Sequence, residues 1–346
     1  MVVLDDIVFS LQPAGGISAV WAALIKGLQN YNADYRCLEF AGSHKNIFRQ
    51  NVEIPETHLS YRSGCVGIKR YIDQRIKWNE PFIFHSSYYR ICPSHYAVNV
   101  TTVHDFIYEK FVLGFNAKVH HWQKFRAICK SDAVVCISEN TKRDLLQYLP
   151  NIDPAKIYVI YNGVSEAYRL IHNTREEWRD CVLFVGARDG YKNFDFVLHA
   201  LAPLHYRLMV VGAPLTECER KKAENLLGRD RLIERGRLSD VSLNEAYNSV
   251  ACLVYPSSYE GFGIPVLEAQ RAGCPVIAIS TSSIPEIIGE TPLLLDNLSE
   301  EKFRQKLQIA VKQRDNIVKA GLDNSRRFSW EKMAAEYIAL YKNLIK

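Results

Sequence analysis

Apolar and polar positions divide the chain into short apolar runs alternating with segments whose apolar residues recur at helical spacing. Residues 1–10 read as a strand, and a Gly-bearing turn (LQPAGG) leads into a helix with Val20, Leu24 and Leu28 on one face. A short strand and an irregular polar segment occupy 35–60. The stretch GIKRYIDQRIKW (67–78) predicts a basic amphipathic helix, with Ile68, Tyr71, Ile72 and Ile76 together and the cations largely elsewhere. Strands follow at 81–90 and 99–111. Residues 114–149 read helix, strand, helix, and 153–168 a strand with an Asn-Gly turn. The remainder continues in the same style. VLFVG is a strand, ARDGYKN a loop and FDFVLHAL a helix; YRLMVVG is a strand, and 234–250 a loop and then a helix. The tail from 299 is helical. Such alternation predicts an α/β protein.

Residues 253–290, LVYPSSYEGFGIPVLEAQRAGCPVIAISTSSIPEIIGE, carry the densest chemistry. LVYP is a buried strand by pattern and SSYEGFG a Gly-bearing loop. Pro265 suits a helix start, Gly273 a helix end, and PVIAIS is the next strand. Glu260 lies at the C-terminal end of a strand, where open α/β sheets bind ligands. Glu268 lies about one turn into the helix. Between them, the backbone N–H groups of Gly261, Phe262, Gly263 and Ile264 cluster at the helix start, which favours an anion such as phosphate. Two carboxylates flanking an anion site match a nucleotide-sugar: ribose, diphosphate, sugar. The competing reading is a capped α/β unit with two ordinary surface glutamates.

Composition narrows the class. A length of 346 residues suits two domains, and 48% hydrophobic with 23% charged residues describes a globular chain. No run approaches the ~18 apolar residues of a membrane span. The N-terminus carries Asp5 and Asp6 and no basic leader, so it reads as a first strand. Nine scattered cysteines without a C-x-x-C suggest reduced thiols in a cytosolic protein, with neither a disulfide framework nor a zinc site. The net charge of +5 is uneven: residues 45–130 hold 13 Lys and Arg against 6 Asp and Glu. A phosphate group or an anionic membrane fits such a patch, as does a solvated face with no partner. No nucleic-acid motif accompanies it. Gly261-Phe-Gly263 lacks the third glycine of a dinucleotide fingerprint, and neither a P-loop nor H-E-x-x-H is present.

YEGFGIPVLEAQRAGCPVIA followed by SSIPEIIGE resembles the donor-site signature of glycosyltransferase family 4, the retaining GT-B transferases of group 1. The resemblance implies two Rossmann-like domains facing a central cleft, at about 1–168 (acceptor-binding) and 169–329 (nucleotide-sugar-binding). It also implies a final helix, 330–346, returning to the N-domain, with Trp330 at the crossing. The polar stretch 166–180 is expected as the linker. By the same resemblance Arg188 and Lys192, after the first strand of the second domain, contact the donor diphosphate. Glu260 positions the donor sugar and Glu268 grips the ribose. Arg237 and Leu238 contact the base, Gly15 and Gly16 touch diphosphate or acceptor, and His104, at a strand end, orients the sugar. Read by position alone, Gly15 and Gly16 are equally a strand-to-helix turn, with glycine permitting close backbone approach or positive φ. His104 is equally a structural histidine.

The implied reaction moves a sugar from GDP-mannose or a UDP-hexose to a glycan or lipid-diphosphate-linked acceptor. Its setting would be cell-surface polysaccharide synthesis in the cytoplasm, at the inner face of the membrane. A departing diphosphate is stabilised by fixed cations and amides, so no cofactor or metal is expected, and no convincing D-x-D is present. A nucleotide-sugar epimerase or phosphorylase on the same fold, and an inactive donor-binding scaffold, are the alternatives.

Overall fold

A computed structural model of the protein describes residues 1–345. The described chain forms two compact units, residues 1–163 with 329–345, and residues 164–328. In chain order the first unit contains β1 (Val2–Asp5), α1 (Val8–Leu11), α2 (Gly16–Asn30), β2 (Tyr35–Phe40), α3 (Ile47–Gln50), β3 (Leu59–Arg62) and α4 (Val66–Lys69). β4 (Phe82–Ser86), β5 (Ala97–Val103), α5 (Ile107–Phe111), α6 (Phe115–Lys130), β6 (Ala133–Cys136), α7 (Glu139–Tyr148) and β7 (Ile157–Val159) follow. Its seven strands pair in parallel in the order β3-β2-β1-β4-β5-β6-β7.

The second unit begins with β8 (Cys181–Val185), α8 (Phe194–Leu201), β9 (Arg207–Val211), α9 (Glu217–Leu227), β10 (Leu232–Glu234) and α10 (Asp240–Ser249). It continues through β11 (Cys252–Tyr255), α11 (Ile264–Arg271), β12 (Val276–Ile279), α12 (Ile284–Ile288), β13 (Leu294–Leu295), α13 (Glu300–Lys312) and α14 (Arg314–Ser325). Its parallel sheet runs β10-β9-β8-β11-β12-β13. The central strands are apolar throughout, as strands covered on both faces must be: CVLF of β8, CLVY of β11 and VIAI of β12 are buried. Both sheets have one topological switch point, between β1 and β4 and between β8 and β11. Ligands of such sheets bind beyond the strand C-termini there.

The last helix, α15 (Trp330–Leu344), belongs to the first unit. Met333, Tyr337, Ile338 and Tyr341 share one core with Trp21, Leu24 and Leu28 of α2. Tyr341 and His85 share a hydrogen bond of 2.6 Å, and Tyr337 and Thr102 one of 2.9 Å. A Cβ at Gly163, the glycine of the Asn-Gly pair, would run into the backbone of Ser329 and Trp330.

Several local expectations change. The ends of the stretches read as strands at 1–10 and 99–111 are the short helices α1 and α5. Residues 67–78 do not form one helix: α4 ends at Lys69. The backbone beyond is claimed by tertiary partners, with Gln74 N–H donating to Ile91 O at 2.9 Å and Asp73 paired with Arg126. The stretch 166–180 is no free linker. The amides of Arg169, Ile171 and Arg175 donate to Asn244, Asn248 and Ser249 of α10. Gly15 is extended at φ 167° and Gly16 opens α2, so neither glycine uses positive φ.

Candidate active site

In the second unit, the loop after β8 and the loop after β11 meet at the switch point. Asn193 holds them together. Its side-chain amide donates to Pro256 O at 2.7 Å and to Ser258 Oγ at 2.8 Å, while Ser258 N–H donates to Tyr191 O at 2.7 Å. Asn193 sits at φ 52°, a left-handed conformation that Asn tolerates better than most residues. Lys192 is thereby carried onto Glu260, Nζ to Oε1 at 2.5 Å, with both side chains largely buried. The Lys192 ammonium also lies 5.2 Å from the Tyr191 ring centre and 5.6 Å from that of Tyr255.

Arg188, from the same loop, turns to α9. Its Nε donates to Glu219 Oε1 at 2.9 Å and its Nη2 to Pro214 O at 2.8 Å. Its Nη1 is buried and has no partner among the described residues, a donor left over for a ligand. Glu219 is also the N3 residue of the α9 capping box with Thr216, so the helix cap and the arginine fix one another.

The Glu260 loop is clamped from the far side by residues 281–284. Glu260 N–H donates to Ser282 Oγ at 2.8 Å, and Ser283 Oγ lies 2.9 Å from both Glu260 O and Phe262 O. Gly263 is left-handed at φ 103°, a backbone conformation that favours glycine. Ile264 then starts α11, with Pro265 in its first turn. Glu268, one turn on, faces α10 and accepts from Tyr247 Oη at 3.1 Å. Burial pushes its carboxyl up to about 7.

Arg237 and Leu238 lie between β10 and α10, Arg237 exposed and Leu238 half-buried. The loops beyond β8, β9 and β10 are stitched by glycines: Gly186 N–H donates to Val211 O and Gly212 N–H to Gly236 O, both at 2.9 Å. Gly212 has φ 148°, and a Cβ there would meet Gly186 O at 2.6 Å. One sheet edge thus carries Arg188, Lys192, Glu260, Arg237 and the 261–264 turn, with Glu268 behind it.

The first unit has its own cavity, of about 270 Å³, at the C-terminal ends of β4 and β5. Gln12 and Ile17, flanking Gly15 and Gly16, line it together with His104, Tyr88, Tyr89 and His120. The imidazole of His104 is held down to about 4, by burial and then by the Lys124 charge, so it is neutral at physiological pH. Sequence reasoning did not assign Asn193, Glu219, Tyr247, Ser282 or Ser283. Of these, Ser282 and Ser283 stand within the SSIPE run and Asn193 at a loop-to-helix boundary, which are the legible signals. Among the described residues no group of three or more His, Cys, Asp or Glu is arranged to hold a metal ion.

Residues 171–327 match the family model for glycosyl transferases group 1, and residues 14–168 match that for glycosyltransferase family 4. The chain belongs to glycosyltransferase family 4. This glycosyltransferase is 25% identical over 309 residues to an uncharacterized glycosyltransferase of Methanocaldococcus jannaschii, covering 87% of this chain and 78% of the relative. It is 26% identical over 258 residues to O-antigen chain mannosyltransferase B of Escherichia coli, covering 71% of this chain and 60% of that one. Its fold is GT-B. HepE of Anabaena, solved with UDP, superposes with a TM-score of 0.72 at 14% identity over 99% of both chains.

Proposed function

We propose that this glycosyltransferase moves a hexose, with retention of configuration, from GDP-mannose or a UDP-hexose to a hydroxyl of a glycan or lipid-linked acceptor in cell-surface polysaccharide assembly. The observation that carries the reading is the Lys192–Glu260 pair at the β8/β11 switch point, with Arg188 Nη1 unpartnered on the same loop. The UDP bound by HepE and the O-antigen mannosyltransferase relative support the donor and acceptor classes. Nine free cysteines fit a reducing cytoplasm.

In this reading the donor diphosphate is held by Arg188, Lys192 and the amides of the 261–264 turn. The bond between the anomeric carbon and the diphosphate oxygen breaks as negative charge grows on that oxygen. Fixed cations and dipoles already in place stabilise it without reorganisation, and no metal is required. The acceptor oxygen bonds to the anomeric carbon from the face the diphosphate leaves, and its proton passes to a departing phosphate oxygen. Glu260, freed from Lys192 as the phosphate takes over that cation, accepts from hydroxyls of the donor sugar. Glu268 accepts from the ribose, Arg237 and Leu238 border the base, and Gly15 and Gly16 let the acceptor approach the backbone. His104, neutral, orients a sugar hydroxyl at its own cavity.

The test is a panel of nucleotide-sugars with glycan and lipid-linked acceptors, run on the wild type and on Glu260→Ala. The wild type should transfer sugar, and the folded variant should lose at least a hundredfold in turnover. Wild-type turnover in Glu260→Ala would overturn the assignment, and an epimerised donor without acceptor would redirect it to another enzyme class.

A further inference from the structure

Arg62 ends β3 and lies beside Phe40, the last residue of β2, in the parallel register. It is half-buried and its Nε is enclosed without a partner. No hydrogen bond or ion pair engages the rest of its guanidinium among the described residues. The other arginines drawn in from the surface of this unit are satisfied: Arg49 by Glu39, Arg90 by Asp5, Arg126 by Asp73 and Arg70 by the Tyr88 hydroxyl. Five donors held partly out of water with no protein acceptor call for an anion.

Arg62 lines a cavity of about 630 Å³ at the C-terminal ends of β2 and β3, with Tyr61, Ser63, Ser43, His44 and Gln50. The carboxylates nearby do not answer it. Glu39, buried, accepts from Arg49 Nε at 2.6 Å and from Ser43 Oγ at 2.8 Å. Glu56 accepts from the Tyr61 hydroxyl at 3.1 Å. Arg49 and Glu39 cancel, so the charge of Arg62 is uncompensated within the lining. Beside it the Tyr61 ring is 65% exposed. A flat apolar face, hydroxyls, an amide and one fork of charged donors together suit a sugar ring that bears a carboxylate or a phosphate.

The cavity stands on the same edge of the sheet as the one that holds His104. The strand order puts the two cavities three strand steps apart, roughly 14 Å at ~4.8 Å per strand, within reach of a short oligosaccharide. One wall joins them. Asn46, which caps α3 ahead of Arg49 and Gln50, donates to Gln12 O at 2.8 Å, and Ile47 N–H donates to Pro13 O at 3.0 Å. Gln12 in turn lines the His104 cavity. We infer that Arg62 anchors an acidic sugar residue of the acceptor glycan, a few rings back from the hydroxyl that receives the transferred sugar. The inference rests on the transferase reading and adds to it the charge of the acceptor and the residue that selects it. No bond forms or breaks at Arg62. It determines specificity, because a neutral glycan leaves its donors unmatched.

The experiment measures binding of D-glucuronate, D-glucose 6-phosphate, D-glucose and inorganic phosphate to the full chain by ligand-observed NMR, with no nucleotide-sugar present. At least one of the two acidic sugars should bind tenfold or more tighter than glucose, and tighter than inorganic phosphate. Arg62→Ala should weaken that sugar at least tenfold while the melting temperature holds, since Arg62 has no partner to lose. Arg62→Gln, which keeps the stem without the charge, should do the same and guards against a local collapse of β3. Whichever acid binds tighter identifies the source of the charge. A phosphate group that binds instead at Arg188 and Lys192 is unaffected by either substitution and is told apart in that way. The inference is overturned if glucose binds as tightly as both acids, or if both variants bind the acids like the wild type. It is also overturned if inorganic phosphate matches the acidic sugars and is lost with Arg62, which marks a simple anion site. Because no donor is present and no turnover is read, a failure of the transferase reading leaves these outcomes intact.

Discussion

Glu268 shows at the residue scale how burial sets the working range of a site. Its carboxyl is pushed from the ordinary 4.5 to about 7, chiefly by burial and against the opposing hydrogen bond from Tyr247. A carboxylate can accept from both ribose hydroxyls, whereas the neutral acid spends one oxygen as a donor. Donor affinity should therefore rise as pH rises through about 7, and Glu268→Gln should bind weakly with a flat profile; titration calorimetry between pH 6 and 8 checks this. Stability runs the other way. The folded chain keeps this proton to a higher pH than the unfolded chain, so the group's contribution falls as pH rises from 4.5 through about 7. Denaturation curves should show the wild type losing ground to Glu268→Gln across that window. Lys192 and Glu260 present a second residue-scale economy: each keeps the other satisfied, since a buried charge without a partner is costly.

At the scale of elements, the packing of α2 on α15 governs the first unit. Gly27 of α2 lies against Ala334 of α15 so closely that a Cβ on Gly27 would run into the Ala334 methyl. Gly27→Leu should drive the two helices apart and destabilise the unit by about 3 kcal/mol or more, beyond the usual ~1–3 kcal/mol of overpacking, because four carbons enter a contact with no room for one. Urea denaturation followed by fluorescence of Trp21, which lies in that core, reads the loss directly. The 67–78 stretch teaches the reverse lesson. Its apolar residues have helical spacing, yet Gln74 and Asp73 are drawn to Ile91 and Arg126, and hydrogen bonds made at a distance in sequence outweigh a weak local preference.

For the molecule as a whole, the expected consequence of a donor site is ligand-dependent stability. A nucleotide or nucleotide-sugar that binds only the folded chain adds about 2.7 kcal/mol at a hundredfold excess over its dissociation constant. A melting-temperature screen should rank UDP, GDP and their hexose derivatives, with the cognate nucleotide giving the largest rise and unrelated nucleotides none. The rise should persist in EDTA if the cations of the 188–192 loop replace a metal.

Much of this was legible in one dimension. The central strands of the second sheet announce themselves as apolar runs because a strand covered on both faces has no polar side to show, whereas β3, LSYR at the edge of the first sheet and half-exposed, does not. Glu260, the 261–264 turn and the start of α11 could be placed because a loop, a helix start and a carboxylate occur within a few residues of each other. The contact of Lys192 with Glu260 was beyond local reading, since 68 positions separate them and only the parallel pairing of β8 with β11 closes that distance. The same holds for Ser283 bracing the Glu260 loop and Glu219 anchoring Arg188. Sequence alone settled which segments bury themselves and what chemistry each loop carries, because both depend on neighbours along the chain. Tertiary structure decided which charges meet, which arginine nitrogen is left unpartnered and which apolar residues remain in water, because those depend on neighbours in space.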